Sequence, residues 1–202
     1  SENRHAGFSQ IIVDLKNDGA KVRPIRNMAG GEDFNEVVFD NVLVPKDRIV
    51  GEPGNGWQQV TSELAYERSG PERFLSSFRV FVELVRICGD DPSPHQAAAI
   101  GRIASHFMTL RRMSLSVAGM LEAGKDVSVE AALVKELGNN FEKLLPEIAR
   151  LVVPDLSAVD PDKQRLFRET FEETLMLSPS FTLRGGTREI MRGVIARGLG
   201  LR

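Results

Sequence analysis

Apolar residues recur at spacings of three and four through residues 57–85: Trp57, Val60 and Leu64, then Glu67, then Pro71, Phe74, Phe78, Phe81 and Val85. That spacing places them on one side of a helix and predicts one long helix for the stretch. Glu67 is the charged exception. An ionised carboxylate on a core-facing side must be paired, hydrogen-bonded or protonated. Glu67 is therefore either a satisfied structural acid, paired with an arginine such as Arg68, or a working base. Pro71 has no N–H to return to the carbonyl of Glu67, and Gly70 adds room beside it. The helix is expected to kink or loosen there.

Before this stretch the pattern is that of strands. Residues 10–15 are apolar and β-branched, Asn17-Asp18-Gly19 signals a turn, residues 22–26 carry Pro24, and residues 34–44 form a further run interrupted by Asp40-Asn41 and ended by Pro45. Glycines and a proline at residues 51–56 read as a hinge, giving a partial β domain at 1–54 and a helical domain at 55–202. Strands with one apolar face need a partner layer.

After the hinge the period is helical. One helix is predicted from Pro94 with Ser93 as cap, carrying Ile100, Ile103, Phe107, Leu110, Ser114, Val117 and Leu121 on one face and ending at Gly124. The next starts at a Ser128 cap and presents Leu133, Leu137, Phe141, Leu144, Ile148 and Leu151. A further helix follows Asp160-Pro161 and buries Phe167, Phe171 and Leu175, and a short last one begins at Thr187. The fold class is α+β, mostly α: a short antiparallel β region followed by an antiparallel up-down helical bundle.

Composition narrows the function classes. Twenty-six basic and twenty-eight acidic residues leave a formal charge of −2, so no global field draws nucleic acid or an anionic membrane. No apolar run reaches the length of a membrane span. Cys88, the single cysteine, excludes an internal disulfide framework, fits a cytoplasmic setting and reads as a small core residue. His5, His95 and His106 lack metal-ligand spacing, so no metal site is expected. The opening Ser1-Glu2-Asn3 has no Met and enters a strand almost at once, as if the sequence starts inside a longer protein.

Near the end, Gly185-Gly186 leads into Thr187, which leaves backbone N–H groups at a helix start suited to an oxyanion or a polarised carbonyl. Arg184, Arg188, Arg192, Arg197 and Arg202 put a basic face on or near that helix, either lining an anionic cofactor or solvated.

The stretch Gly186-Thr187-Arg188-Glu189-Ile190-Met191-Arg192, continuing to Ile195-Ala196-Arg197 and Leu199-Gly200-Leu201, resembles the carboxyl-terminal signature of acyl-CoA dehydrogenases. Asn27-Met28-Ala29-Gly30-Gly31-Glu32-Asp33-Phe34, running on to Val42, then Val44-Pro45 and Gly54-Asn55-Gly56-Trp57, is similar to the same family. The blocks follow the family's order but match only its later part: the end of the β domain and the carboxyl-terminal helical domain.

The resemblance implies an FAD-dependent α,β-dehydrogenation of an acyl-CoA thioester, in fatty-acid or other lipid metabolism. Electron-transfer flavoprotein or a similar acceptor, and a homo- or hetero-oligomer, are further implications. Many members carry their base just before the Gly-Thr of the last motif, where this chain has Gly185. A branch carries it in a Glu-Arg pair on the first long helix, which Ala65-Tyr66-Glu67-Arg68 resembles, and so Glu67 is assigned as catalytic base. Gly185, Arg68 and Tyr66 are assigned to substrate, and Thr187, Glu189 and Gly186 to FAD. The common Arg-x-x-Phe-Gly motif, which reaches a neighbouring subunit's flavin, is absent from the connection Arg86-Ile87-Cys88-Gly89-Asp90-Asp91-Pro92. The alternatives are a non-catalytic helical fragment or partner subunit, and a flavin oxidase or monooxygenase on the same scaffold.

Overall fold

The computed structural model describes residues 5–201. The Ser1-Glu2-Asn3 opening and Arg202 lie outside the described residues. Two compact units divide the chain at Leu64/Ala65, inside the first helix.

In the first unit, β1 (Gln10–Ile11) pairs antiparallel with β4 (Ile49–Val50), and β2 (Ala20–Ile25) with β3 (Phe34–Phe39), from Ala20 opposite Phe39 to Ile25 opposite Phe34. The antiparallel β region thus consists of two separate two-stranded ladders. Val22, Phe34, Val37, Val38 and Phe39 remain exposed in this unit.

α1 spans Gly56–Ser69. The single helix expected over residues 57–85 is corrected to two. Gly70 is extended (φ −64°, ψ 158°), the conformation favoured before proline, and a 3-10 turn at Pro71–Arg73 follows. α2 (Phe78–Cys88) then starts afresh and buries Val80, Glu83, Leu84 and Ile87, while Phe78 and Val85 of the expected stripe are exposed. Phe74, between the helices, is buried as expected. Thirty or so residues cannot hold one stripe across a break that resets the helical phase.

The second unit continues with α3 (Pro94–Glu122), α4 (Ser128–Val152), α5 (Pro161–Leu177), a 3-10 segment at Ser178–Leu183 and α6 (Arg188–Gly198). Caps follow the sequence reading at three starts: Ser93 and Gln96 form a capping box, Asp160 accepts the N–H groups of Asp162 and Lys163, and Thr187 precedes α6. At α4, Asp126 and not Ser128 supplies the side-chain acceptor, binding the Ser128 N–H. The core joins Leu84, Ile103, Phe107, Leu110, Val134, Phe141, Leu145 and Phe167, with Phe107 edge-on to Phe141 at 4.8 Å.

α4 packs against α2, α3, α5 and α6 and is the centre of this unit. Its expected stripe is corrected: Leu137, Leu144 and Leu151 are exposed, and Val134, Lys135, Gly138, Asn139, Glu142, Leu145, Ala149 and Val152 are buried. Covered on several sides, the helix buries a broad sector in which Lys135 and Glu142 find partners on neighbouring elements. In α5, Phe167 is buried and Phe171 half-buried, but Leu175 is exposed and Thr170 and Thr174 take inward positions. Among the described residues, no helix is long and apolar enough to cross a membrane.

Candidate active site

Glu67 lies in the last turn of α1. Its side chain is 44% exposed, which corrects the core-facing position expected for it, and its partner is Arg73 rather than Arg68. Arg73, whose side chain is only 5% exposed, donates from Nη2 to Glu67 Oε1 at 2.6 Å and from Nε to the Glu67 main-chain carbonyl at 2.8 Å. Its Nη1 reaches the carbonyl of Arg184 at 3.3 Å. One planar guanidinium thereby ties the end of α1 to the segment that leads into the glycine pair. Among the described residues, Oε2 of Glu67 accepts no hydrogen bond.

Gly185 (φ +67°) and Gly186 (φ +102°) take consecutive left-handed conformations that suit glycine. A Cβ added to Gly185 would collide with Oε1 of Glu67 and lie 3.3 Å from Nη2 of Arg73. The Glu67 carboxylate thus occupies the space a side chain at position 185 would need. This is the principal conjunction in the site: two positions 118 residues apart in sequence meet at one carboxylate.

Beneath this pair runs a buried polar strip on α4. Lys135 donates from Nζ to the Gly186 carbonyl at 2.5 Å. Burial, then Arg73, Arg68 and Arg184, push its ammonium down to about 8 against the support of Glu136. Glu142 takes the Ser76 N–H at 2.6 Å and Nη2 of Arg184 at 2.5 Å. Burial holds the Glu142 carboxyl above the usual range, with Arg184 and Ser76 offsetting only part of it. Asn139, fully buried between them in sequence, has no partner for either amide atom among the described residues. Gly138 is needed for this packing, because a Cβ there would strike the Arg73 carbonyl.

The expected basic face is corrected in part. Arg184 is paired with Glu142, and Arg188 and Arg192 both reach Glu136, at 3.1 and 3.0 Å. Burial pushes the Glu136 carboxyl up, but bonds from Arg188, Asn140 and Arg192 together bring it below its ordinary value. These three arginines serve the attachment of the last segment to α4.

Thr187 and Glu189 sit at the start of α6, where Thr187 makes no side-chain cap bond to the helix. The Glu189 carboxyl is held below its ordinary value by its own backbone N–H and the Thr187 hydroxyl. The Glu189 carboxyl thus occupies part of the donor set that this helix start offers. Arg68 is half-buried; burial, then Arg73, lower its guanidinium while Glu67 supports it, and its Nε has no hydrogen-bond partner among the described residues. Tyr66 is exposed and lines a mostly apolar cavity of 490 Å³ with Ser69, Pro71, Ser114 and Leu115. Among the described residues, no group of three or more His, Cys, Asp or Glu side chains is placed to hold a metal.

Sequence reasoning therefore named Glu67 and the glycine pair and missed Arg73, Lys135 and Glu142. The signal for the last two was present: charged residues 135 and 142 stand seven apart between apolar positions of α4.

No family model matches the chain. Acyl-CoA dehydrogenase IpdE1 of Mycobacterium tuberculosis is 33% identical to it over 98% of this chain and 52% of the relative. IpdE1 of Mycolicibacterium smegmatis is 29% identical over 98% of this chain and 50% of that protein. The chain thus spans about half the length of these curated relatives. Among solved structures, the Tcur3481-Tcur3483 steroid ACAD G363A variant superposes with a TM-score of 0.81 at 22% identity, covering 98% of this chain and 53% of that one. At that identity the match speaks for the fold.

Proposed function

Since this chain belongs to the acyl-CoA dehydrogenase family, matching its carboxyl-terminal part, we propose that it carries the catalytic base of an FAD-dependent α,β-dehydrogenation of an acyl-CoA thioester. The observation that supports this is the contact between Glu67 and Gly185. In the family's common arrangement a glutamate stands at the position of Gly185. Here the side chain is missing at that position, and a carboxylate from α1 fills its place. A base delivered from either position arrives at the same point.

In this reading Oε2 of Glu67 takes the α proton of the thioester while Arg73 holds Oε1 and the helix end. The Gly185 N–H donates to the thioester carbonyl, where negative charge develops as the proton leaves. Arg68 and Tyr66 border the substrate. Thr187, Glu189 and Gly186 would hold FAD, which would supply the acceptor for the β hydride. Electron-transfer flavoprotein as acceptor, an oligomer with a second copy or a related chain, and a cytoplasmic location belong to the same reading.

One observation favours a second reading: the Arg73 ion pair would equally satisfy a purely structural Glu67. The test is exchange of the α proton of butanoyl-CoA and octanoyl-CoA with deuterium in heavy water by the flavin-loaded protein, alongside bleaching of its visible absorption. Glu67→Gln is expected to slow exchange about 10²–10⁴-fold with flavin retained. Undiminished exchange, or loss of flavin together with fold, assigns Glu67 to structure.

A further inference from the structure

We infer that Lys135 is the positioning residue of the Gly185–Gly186 turn, holding the turn in the conformation that aims the Gly185 N–H and leaves room for the Glu67 carboxylate. This rests on the roles proposed above for Gly185 and Glu67.

Lys135 has no solvent-exposed surface, and its bond to the Gly186 carbonyl is the one hydrogen bond the described residues give that oxygen. A buried helix position used only for packing takes an apolar side chain, because an ammonium must be desolvated. The surroundings of this one add to that cost. Arg73 from the 3-10 turn, Arg68 from α1 and Arg184 from the segment before the turn all oppose its charge, and Glu136 on its own helix favours it. What the lysine adds over an apolar residue is reach: four methylenes and a donor that extend from α4 to a turn with two successive positive φ angles. The neighbouring polar groups do not do this work, since Glu142 is taken by Arg184 and Ser76.

The turn matters because both proposed catalytic features meet in it. Gly185 supplies the N–H, and its missing side chain makes the space for Glu67. If the Gly186 carbonyl loses its donor, the peptide planes on either side are free to rotate, and donor and carboxylate lose their mutual alignment. Lys135 touches neither substrate nor cofactor in this scheme; it acts through the turn.

The first test needs no turnover. In ¹⁵N–¹H spectra of the chain labelled at glycine and threonine, the Gly185, Gly186 and Thr187 amide signals are expected to move together as pH passes through about 8, the value to which Lys135 is lowered. Lys135→Met is expected to abolish that step. Absence of the step in the unmodified chain, or its persistence in the Met variant, overturns the assignment. In the flavin-loaded protein, Lys135→Met is expected to slow α-proton exchange of butanoyl-CoA or octanoyl-CoA about tenfold or more at unchanged half-saturation. An unchanged rate overturns the link to catalysis. If the unmodified protein exchanges neither thioester, the proposed function fails, and the amide titration still decides the role of Lys135.

Discussion

Arg73 holds Glu67 at two points, its carboxylate at 2.6 Å through Nη2 and its main-chain carbonyl at 2.8 Å through Nε. The double grip fixes the side chain and the end of the helix that bears it. A third bond, to the Arg184 carbonyl, extends the grip to the glycine pair.

Arg73→Met should therefore cost stability and alignment together. It strands two main-chain carbonyls in a region where Arg73 itself is buried, a loss of about 2 kcal/mol. Urea unfolding measures this, and Arg73→Lys should recover only part of it because an ammonium cannot span all three acceptors. Full recovery with lysine would show that charge alone matters.

Gly185→Ala and Gly200→Ala separate two effects. Both glycines have positive φ, +67° and +72°, so alanine at either costs about 1 kcal/mol in backbone conformation. At Gly200 a Cβ meets nothing within 4 Å among the described residues, whereas at Gly185 it meets the Glu67 carboxylate. Gly185→Ala should be the more destabilising in thermal melts and should also slow α-proton exchange, with Gly200→Ala leaving exchange unchanged.

Lys135 predicts a pH dependence of stability with a definite sign. Its folded-state value is lowered from 10.5 to about 8, so between those limits the unfolded chain binds more protons than the folded one. Stability then rises with pH across that window, by on the order of 3 kcal/mol from this group. The penalty is present in full below the folded value. Unfolding free energies measured from neutral pH to above 10.5 should rise for the unmodified chain by that amount relative to Lys135→Met; parallel curves, or a relative fall, would refute it.

The register of α4 gives the fourth prediction. Leu144 is 45% exposed and Leu145 fully buried. Leu145→Ala should cost about 2–5 kcal/mol and Leu144→Ala less than about 1 kcal/mol in denaturant unfolding. The reverse order would restore the stripe read from heptad spacing.

Much of this molecule is determined by local chemistry that one chain of letters carries. Ser93, Asp160 and Thr187 mark helix starts because each is a polar or turn-forming residue immediately before a helical run. Gly70-Pro71 marks a break because proline restricts its own backbone and that of the residue before it. The resemblance carried by the glycine–threonine motif and the Glu-Arg pair pointed to the family without any coordinates. Tertiary structure alone decided which face of α4 is buried, since that depends on how many neighbours cover the helix and where their charges lie. It alone showed that Arg184, Arg188 and Arg192 bind acids of α4. It also chose Arg73 over Arg68 as the partner of Glu67, and brought Glu67, Gly185 and Lys135 within reach of one turn. Apart from Glu67–Arg73, these contacts join residues more than forty positions apart; they are set by packing of whole helices, and no local spacing encodes them.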